Sequence, residues 1–215
     1  MSALQPRLAA AILASACFLA PGASYAAAIT NIGCGYYGTF LMKTDGSLWG
    51  FGENDRAQLG LGHFDDVLIR TRIASVNGVI STAHGVDYNL ALCADGSVWS
   101  AGTGWFGELG TGSDNATNKV FCPIPGLSGV TGIASGDTHS LAVDDEGRMW
   151  AWGRNSRGQV GIGGNGDTNQ PSRIAGLDNV TMAAAGGYHS LALDKGGRAW
   201  AWGDNAYGQL GIGSL

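Results

Sequence analysis

The stretch that decides the fold is ASGDTHSLAVDDEGRMWAWGRNSRGQVG, residues 134–161. Residues 184–211 read AAGGYHSLALDKGGRAWAWGDNAYGQLG and repeat the same pattern fifty residues later. The register extends back through the chain, because a tryptophan followed three positions later by glycine recurs every 50 or 51 residues, at Trp49, Trp99, Trp150 and Trp200. A fixed period of this length indicates an array of similar units, each stacked on its neighbours.

Each unit reads as four short strands. In the third unit, residues 130–135 and 139–143 are β-prone runs separated by a turn, and the second run alternates polar with apolar residues. Residues 148–152 form a third strand, and residues 171–174 form a fourth after a long glycine-rich loop. A repeated four-stranded meander of about 50 residues is the blade of a β-propeller. We therefore predict an all-β fold, a partial or open β-propeller of about four four-stranded antiparallel blades.

The repeated tryptophans and histidines are predicted to be structural. A single blade cannot bury both of its faces, so a neighbouring blade has to cover them. We therefore expect the four tryptophans to pack between successive blades. Residues His139 and His189 occupy the same position in two units, and we interpret them as structural residues bonded to their own turns rather than as catalytic bases. Two further histidines, His63 and His84, are expected to be exposed.

Composition supports a β-rich fold and argues against a nucleic-acid partner. Glycine makes up 37 of 215 residues, more than twice the usual share of about 7%. So much glycine disfavours helices, since each glycine costs about 1 kcal/mol relative to alanine within a helix. The formal net charge is −5 and the isoelectric point is near 5.2. An acidic chain is poorly suited to follow a phosphate backbone.

Residues 1–26 have the pattern of a secretory signal peptide. A short N-terminal segment, residues 1–7, carries one positive charge, on Arg7, and is followed by the uncharged apolar run 8–20. The small residues Ser24 and Ala26 then fit the −3 and −1 positions of a cleavage site. The run is too short to span a bilayer, which needs about 20 apolar residues. We predict cleavage after Ala26 and a secreted or periplasmic location, without a membrane association after cleavage. The alternatives are a buried helix and a lipoprotein signal ending at Cys17.

The repeats resemble those of the regulator of chromosome condensation family, in an exported, bacterial-type form. Residues 134–143 and 184–193 are similar to one family signature, and residues 152–161 and 202–211 are similar to the other. The resemblance covers residues 29–215. It divides the chain after the leader, 27–215, into units at about 29–78, 79–129, 130–179 and 180–215. It implies a seven-bladed propeller, whereas four units are present and the fourth ends before its last strand.

Three interpretations account for four units. The sequence is a fragment of a larger propeller, or two chains associate through their open edges to close a ring, or four blades close tightly by themselves. We favour the fragment, because the sequence ends inside a blade.

The sequence offers no motif for a cofactor or a metal. Residues 102–107 and 161–166 match G-x-G-x-x-G, but neither opens a helix, as a dinucleotide site requires. The loop 163–169 resembles a calcium loop only superficially, because it occurs once and its acid is out of register. Three cysteines follow the leader, and they allow at most one disulfide; we expect them to be small buried residues: Cys34, Cys93 and Cys122.

Aromatic side chains concentrate where binding is expected. Strand direction alternates within a blade, so the turns between the first and second strands and the loops between the third and fourth emerge at one rim. Acidic residues Asp55, Asp87, Asp137 and Asp204 are interleaved there. Exposed rings on a rigid rim suit the recognition of a protein or a sugar. The candidate binding residues are Tyr36, Tyr37, Tyr88, Trp105, Phe106, Tyr188 and Tyr207.

These observations favour an exported, non-enzymatic binding module with a protein partner. The resemblance supports this, since it implies relatives that bind proteins, including secreted propellers that inhibit β-lactamases. The resemblance also implies an alternative, a guanine-nucleotide exchange factor acting on a small GTPase, which the leader and the acidic surface oppose. A secreted hydrolase or lyase is a third possibility, but no catalytic constellation supports it.

Overall fold

The chain folds into four small antiparallel sheets and no helices within the described residues. The structure, a computed structural model, describes residues 27–214. The predicted signal peptide therefore lies outside the described residues. In residues 27–214 no helix is long and apolar enough to cross a membrane. The all-β prediction is confirmed.

The strands of each sheet follow one another in chain order, as in a meander, and we call the four sheets blades one to four. In blades one and two the strands are β1 (Ile29–Cys34), β2 (Gly38–Lys43), β3 (Ser47–Gly52), β4 (Val67–Asn77), β5 (Val79–His84), β6 (Tyr88–Cys93), β7 (Val98–Gly104) and β8 (Ala116–Pro123). In blades three and four they are β9 (Val130–Ser135), β10 (His139–Asp144), β11 (Met149–Gly153), β12 (Thr168–Arg173), β13 (Val180–Ala185), β14 (His189–Asp194) and β15 (Ala199–Gly203).

The predicted strands of the third unit are found, with one shift. The first strand has the predicted bounds, and the second begins at His139 as expected. The fourth begins at Thr168, three residues before the prediction, because the register shifts so that Gly153 pairs with Thr168 while Trp150 pairs with Arg173. Blade four has three strands in the described residues, so its outer strand, β15, has a free edge.

The core consists of three apolar clusters, one between each pair of successive blades. The second and third strands of a blade direct their larger aliphatic side chains toward the next blade, as Leu141, Val143 and Met149 do in blade three. The opposite face carries alanine and tryptophan toward the preceding blade, as Ala142 and Trp152 do. Each interface therefore joins a bulky aliphatic face to a face of small residues and indoles, which interdigitate.

Two of the four repeated indoles pack in the clusters between blades, whereas Trp49 and Trp200 belong to none of the three clusters, which corrects the prediction for those two. Trp99 and Trp150 are half-buried and pack against the clusters on the preceding blades. Trp200 is 39% exposed, with the Arg198 guanidinium over its ring. The fully buried indole is a different one, Trp152, two residues beyond the repeated position. It lies deeper in the interface, so more of the packing energy resides there than at the anchor tryptophans.

Hydrogen bonds between neighbouring blades accompany the apolar packing. The buried Nε2 of His139 lies 2.8 Å from Ser190 Oγ, in the next blade. Because the Ser190 hydroxyl donates its proton to the Gln159 carbonyl, His139 Nε2 must be the donor. His139 is structural, as predicted, but the prediction that it bonds its own turn is wrong. Residue His189 is half-buried at the equivalent position of blade four.

The burial of His84 and of the cysteines in the structure differs from the prediction. Residue His84 is half-buried rather than exposed, with Nδ1 2.7 Å from Asn89 Oδ1, whereas His63 is exposed as expected. The cysteines of the described residues are all free, and they differ in burial. Cys93 is buried, Cys122 is half-buried, and Cys34 is exposed, because β1 belongs to blade one, whose other face no described blade covers.

Candidate functional site

The predicted rim exists, and its loops are joined to one another. The loop between β7 and β8 carries Trp105 and Phe106, and the turn between β5 and β6 carries Asp87. The Trp105 Nε1 group donates a hydrogen bond to Asp87 Oδ2 at 3.1 Å. This bond holds an exposed indole in one orientation above blade two, which reduces the entropy lost when the ring is bound.

A cleft of about 270 Å³ opens between the loops of blades two, three and four. Its walls include four rings of the predicted set and three acidic side chains. We call this space the rim cleft; its lining residues are Val86, Asp87, Tyr88, Thr103, Trp105, Phe106, Glu108, Asp137, Thr138 and Tyr188. The cleft thus unites residues that are up to about 100 positions apart in the sequence.

Tyr88 is not an exposed binding residue, which corrects the prediction. It is 1% exposed, and its hydroxyl donates to the His139 carbonyl at 2.6 Å. Ser140 Oγ lies 3.0 Å from both the Tyr88 hydroxyl and the Glu108 carbonyl. Tyr88 stands at the position that His139 occupies in blade three, and both residues bond to the serine of the next blade. A Cβ atom at Gly85 would overlap the Tyr88 ring, so this glycine makes the space for it.

Of the remaining rings of the predicted set, Phe106 is half-buried and the others are exposed, and they fall into two groups. Tyr36 reaches the rim cleft from blade one, where its hydroxyl donates to Asp137 Oδ1 at 3.2 Å. The carboxylate of Asp137 raises the pKa of Tyr36, since it disfavours the phenolate. Tyr37 packs edge-on against Tyr36 outside the cleft. Tyr207, which is 92% exposed, lies at a second depression on the far side of Tyr188.

Two arginines contribute to the rim, and sequence reasoning missed both. The Arg154 guanidinium stacks over the Phe106 ring at 4.5 Å from its centroid and lies 5.9 Å from that of Tyr188. The Arg56 side chain approaches Asp87 to 3.9 Å. Stacking of a guanidinium on a ring orders both groups. Each arginine contacts a residue of a neighbouring blade about fifty or thirty positions away, so its sequence position alone did not reveal the contact.

Glu108 is the residue by which the loop of blade two departs from the repeat. Gln58, Gln159 and Gln209 stand at this position in the other units, and each side-chain carbonyl accepts the backbone N–H two residues earlier. The Glu108 carboxylate does the same for Phe106 at 2.7 Å. It is 2% exposed, and burial raises its pKa. The repeat alignment alone would have revealed this exchange.

The described residues that line the rim cleft include no histidine and no cysteine. Within residues 27–214 there is no group of three or more His, Cys, Asp or Glu side chains that could hold a metal ion. The His139 ring serves the interface between blades three and four, and burial lowers the pKa of His139 to about 4. A neutral ring at that depth is suited to structural hydrogen bonding.

Family models of the regulator of chromosome condensation (RCC1) repeat match residues 45–92, 95–143 and 146–193. A second model of the same repeat matches residues 29–58, 130–159 and 183–209. The chain belongs to the RCC1-repeat family. The resemblance expected from the repeated motifs is thereby confirmed, for all four blades.

Several RCC1-repeat proteins are similar to this chain over part of their length. It is 38% identical over 133 residues to the ultraviolet-B receptor UVR8 of Arabidopsis thaliana, covering 59% of this chain and 29% of that protein. It is 32% identical over 153 residues to the human E3 ubiquitin-protein ligase HERC2, covering 68% of this chain and 3% of that protein. The Xenopus laevis regulator of chromosome condensation is 28% identical to it over 148 residues, covering 67% of this chain and 35% of that protein.

Solved structures of the family share the fold. Human WBSCR16 superposes with a TM-score of 0.79 at 27% identity, covering 89% of this chain and 52% of that one. Yeast RCC1 (Prp20), solved bound to Kap60, superposes with a TM-score of 0.79 at 23% identity, covering 91% of this chain and 48% of that one. The chain therefore spans about half the length of these structures and about a third or less of the curated relatives it matches.

Proposed function

We propose that this RCC1-repeat chain is a non-enzymatic binding module that recognises a protein partner through the rim cleft and the rings around it. The observation that carries the proposal is the Trp105–Phe106 pair. At these two positions the other units have small, polar or charged residues or a single tyrosine, so blade two alone presents two adjacent large rings. A few hot-spot residues supply most of the binding energy in protein interfaces, and large aromatic residues are enriched there.

The surroundings of the pair support this role. Trp105 is held by Asp87, and Phe106 is held by the stacked Arg154, so neither ring has to be ordered on binding. The cleft beside them is apolar in its walls and acidic at its edge, where Asp87 and Asp137 lie. An apolar anchor with charges at the rim is the usual anatomy of a protein interface.

The relatives support a protein as the partner. One yeast structure holds RCC1 (Prp20) bound to Kap60, and the structure of Prp20p was solved together with a study of its binding to Gsp1p and histones. Those partners belong to those proteins. For this chain they support only the class of partner, a folded protein that contacts the propeller.

Export is a separate part of the proposal. The apolar run 8–20 and the small residues before position 27 support a leader that directs the chain out of the cytoplasm. The test is the intact mass of the protein recovered from the exported fraction. A mass that lacks residues 1–26 is expected, and a full-length chain found only inside the cell would contradict export.

The binding proposal is tested with a rim variant and a matched control. Proteins captured by the wild-type chain are identified, and their affinities are then measured directly with purified components. Trp105→Ala combined with Phe106→Ala should weaken binding about thirtyfold, the effect of losing about 2 kcal/mol from a hot spot. Leu68→Ala removes an exposed apolar side chain from the outer strand of blade one and should leave the affinity unchanged. Equal affinity of the rim variant and the wild type would refute the proposed site.

Family membership favours a second candidate, a guanine-nucleotide exchange factor for a small GTPase. Matches to the Xenopus regulator of chromosome condensation and to yeast Prp20p support it. The test is the release of fluorescent GDP from a purified small GTPase, with and without the chain. Accelerated release would establish exchange activity, and release at the intrinsic rate across a panel of GTPases would remove this candidate.

A further inference from the structure

Arg154 is a half-buried cation that has no carboxylate partner in the described residues. Two arginines of residues 27–214 are half-buried, Arg148 and Arg154. Arg148 forms ion pairs with Asp144 at 2.7 Å and with Glu146 at 2.8 Å. Arg154 takes part in none of the ion pairs within residues 27–214. Partial burial of a charge without an opposite charge is unfavourable, so an anion that reaches Arg154 would be bound there.

Three contacts hold the Arg154 guanidinium in place and leave its outer edge available. Its Cζ atom lies 4.5 Å from the centroid of the Phe106 ring and 5.9 Å from that of Tyr188. Its Nε group donates to Ser156 Oγ at 3.2 Å. That bond is the side-chain hydrogen bond of Arg154 to the described residues, and it leaves the terminal nitrogens free of them. Because rings stack on the faces of a planar guanidinium, the N–H donors along its edge stay available to a ligand.

The charge of the rim changes sign beside Tyr188. This ring separates the rim cleft from the second depression, which has a volume of about 330 Å³. We call the second depression the arginine depression; its charged lining residues are Arg154, Arg157 and Asp204, with a formal charge of +1. Arg157 Nε lies 4.0 Å from Asp204 Oδ1, so the excess positive charge resides on Arg154. The charged residues that line the rim cleft are all acidic.

The repeat itself does not require an arginine at this position. The fourth residue after the repeated tryptophan is Glu53 in blade one, Thr103 in blade two and Asp204 in blade four. Those blades form the same sheets with an acid or a hydroxyl there, so the fold does not account for the positive charge of blade three. The rings that hold Arg154 come from blades two and four, which flank blade three on its two sides.

We infer that Arg154 binds the side-chain carboxylate of an aspartate or glutamate on the protein partner. The inference rests on the proposed function, because it names a group on the partner that the rim recognises. A guanidinium pairs with a planar carboxylate through two parallel hydrogen bonds. The +1 charge of the arginine depression matches one carboxylate, whereas a phosphorylated side chain carries about −1.5 to −2 at pH 7. An acid bound here, beside the acidic rim cleft, fixes the orientation in which the partner docks.

The first test measures the binding of short peptides to the full chain by NMR. The probe is acetyl-GEGEG-amide, and its control is acetyl-GQGQG-amide, which has the same shape without the charges. The glutamate peptide should shift the Nε–Hε signal of Arg154 at millimolar concentrations, and the glutamine peptide should not. Equal shifts with both peptides, or no shift with either, would refute a carboxylate site. Tighter binding of acetyl-GSGSG-amide with phosphorylated serines would show that the site selects phosphate instead.

Three variants assign the binding to the guanidinium. Arg154→Gln removes the charge and should weaken the glutamate peptide about tenfold, the effect of losing one charge-assisted hydrogen bond. Arg154→Lys keeps the charge but not the fork and should bind with intermediate affinity. Arg70→Gln removes an exposed arginine from β4, and it should bind as the wild type does. Circular dichroism verifies folding, and if Arg154→Gln is unfolded, Arg154→Lys decides. Wild-type affinity of Arg154→Lys, or an equal loss in Arg70→Gln, would overturn the inference.

The affinity for the captured partner separates this inference from the proposed function. Arg154→Gln should weaken that binding about tenfold, and Trp105→Ala tests the rim cleft without removing the Phe106 ring under Arg154. If Trp105→Ala weakens the binding and Arg154→Gln does not, the inference fails and the proposed function stands. If Arg154→Gln weakens it and Trp105→Ala does not, the inference stands and the proposed aromatic anchor is wrong.

Discussion

The indole of Trp152 donates a hydrogen bond from Nε1 to the Glu108 backbone carbonyl at 2.7 Å, which ties blade three to the loop of blade two. The equivalent indole of blade four, Trp202, makes the same bond to the Gln159 carbonyl at 2.9 Å. Blades three and four are thus each attached to the preceding blade by both packing and an indole hydrogen bond. The same loop carries the rings of the rim cleft, so the interface also positions the candidate site.

Removing the Trp152 ring should be among the most damaging single changes. Trp152→Ala should lower the free energy of unfolding by about 3–5 kcal/mol, because it leaves a cavity in a close-packed interface. Trp152→Phe keeps much of the volume and should cost less, although it removes the indole donor to the Glu108 carbonyl. Urea unfolding followed by circular dichroism measures both. Trp200→Ala, at a partly exposed ring, is the control, and an equal loss there would contradict the assigned roles.

Stability should fall as the solution is acidified, because of His139. Burial, with a smaller effect of His189, lowers the pKa of His139 to about 4, whereas the ring in an unfolded chain has a pKa of about 6.5. Between pH 4 and pH 6.5, the His139 ring is therefore protonated in the unfolded chain but neutral in the folded chain. His139 should reduce the free energy of unfolding by up to about 3 kcal/mol as the pH falls from 6.5 to 4.

Urea unfolding of the wild type and of His139→Gln at several pH values tests this. The variant should be less stable at pH 7.5, since it alters a buried bond to Ser190, but its stability should depend less on pH between 6.5 and 4. Identical slopes for the two proteins would show that another group causes the acid sensitivity.

Replacing Glu108 by the glutamine of the other units should stabilise the protein at neutral pH. Burial raises the pKa of Glu108, so ionisation of this carboxyl is less favourable in the folded than in the unfolded state. Its unfavourable contribution is absent at low pH and appears as the pH rises above the unfolded pKa. Glu108→Gln should therefore unfold at a higher temperature than the wild type at pH 7.5, with a smaller difference near pH 4.

Glu108→Ala provides the contrast, because it removes the acceptor of the Phe106 N–H. It should lower the free energy of unfolding by about 1–3 kcal/mol, the cost of a backbone donor left unsatisfied. Thermal unfolding by calorimetry measures both variants. A glutamine variant less stable than the wild type at pH 7.5 would show that the carboxylate is needed in its charged form.

The thiols of the described residues should differ sharply in reactivity. Cys34 is exposed and should react with a disulfide reagent in the folded protein, whereas Cys93 is buried and its pKa is raised by that burial. Buried thiols react slowly because the thiolate is disfavoured and access is blocked. Absorbance during labelling measures the rates, and Cys34→Ser should remove one rapidly reacting thiol. Rapid labelling of Cys93 without denaturant would mean that blade one separates readily from blade two.

Much of the fold was predictable from local patterns. The alternation in HSLAV predicts a strand with two different faces, and the glycines at fixed positions predict the turns between strands. These signals are local, so the repeat revealed the order of strands in all four blades. The fourth strand of each blade was harder, because a long loop precedes it and the register shifts beside Gly153.

The candidate site was predicted only in part. Trp105, Phe106 and Tyr188 meet at the cleft as the alternation of strand direction implies, but Tyr88 lies in the core. A tyrosine near a turn is equally compatible with either location in the sequence. Its burial depends on Ser140 and His139 of the next blade, which are about fifty residues away.

By itself, the sequence determined the repeat, the strands and the side chains available on each face, because hydrogen bonding and turn formation act between residues that are near in the chain. Only the tertiary structure decided which of those faces are covered. Burial requires a neighbour, and here the neighbour of every residue in an interface comes from another blade. For that reason Leu141 is buried while Leu191, at the same position of the next blade, is 38% exposed.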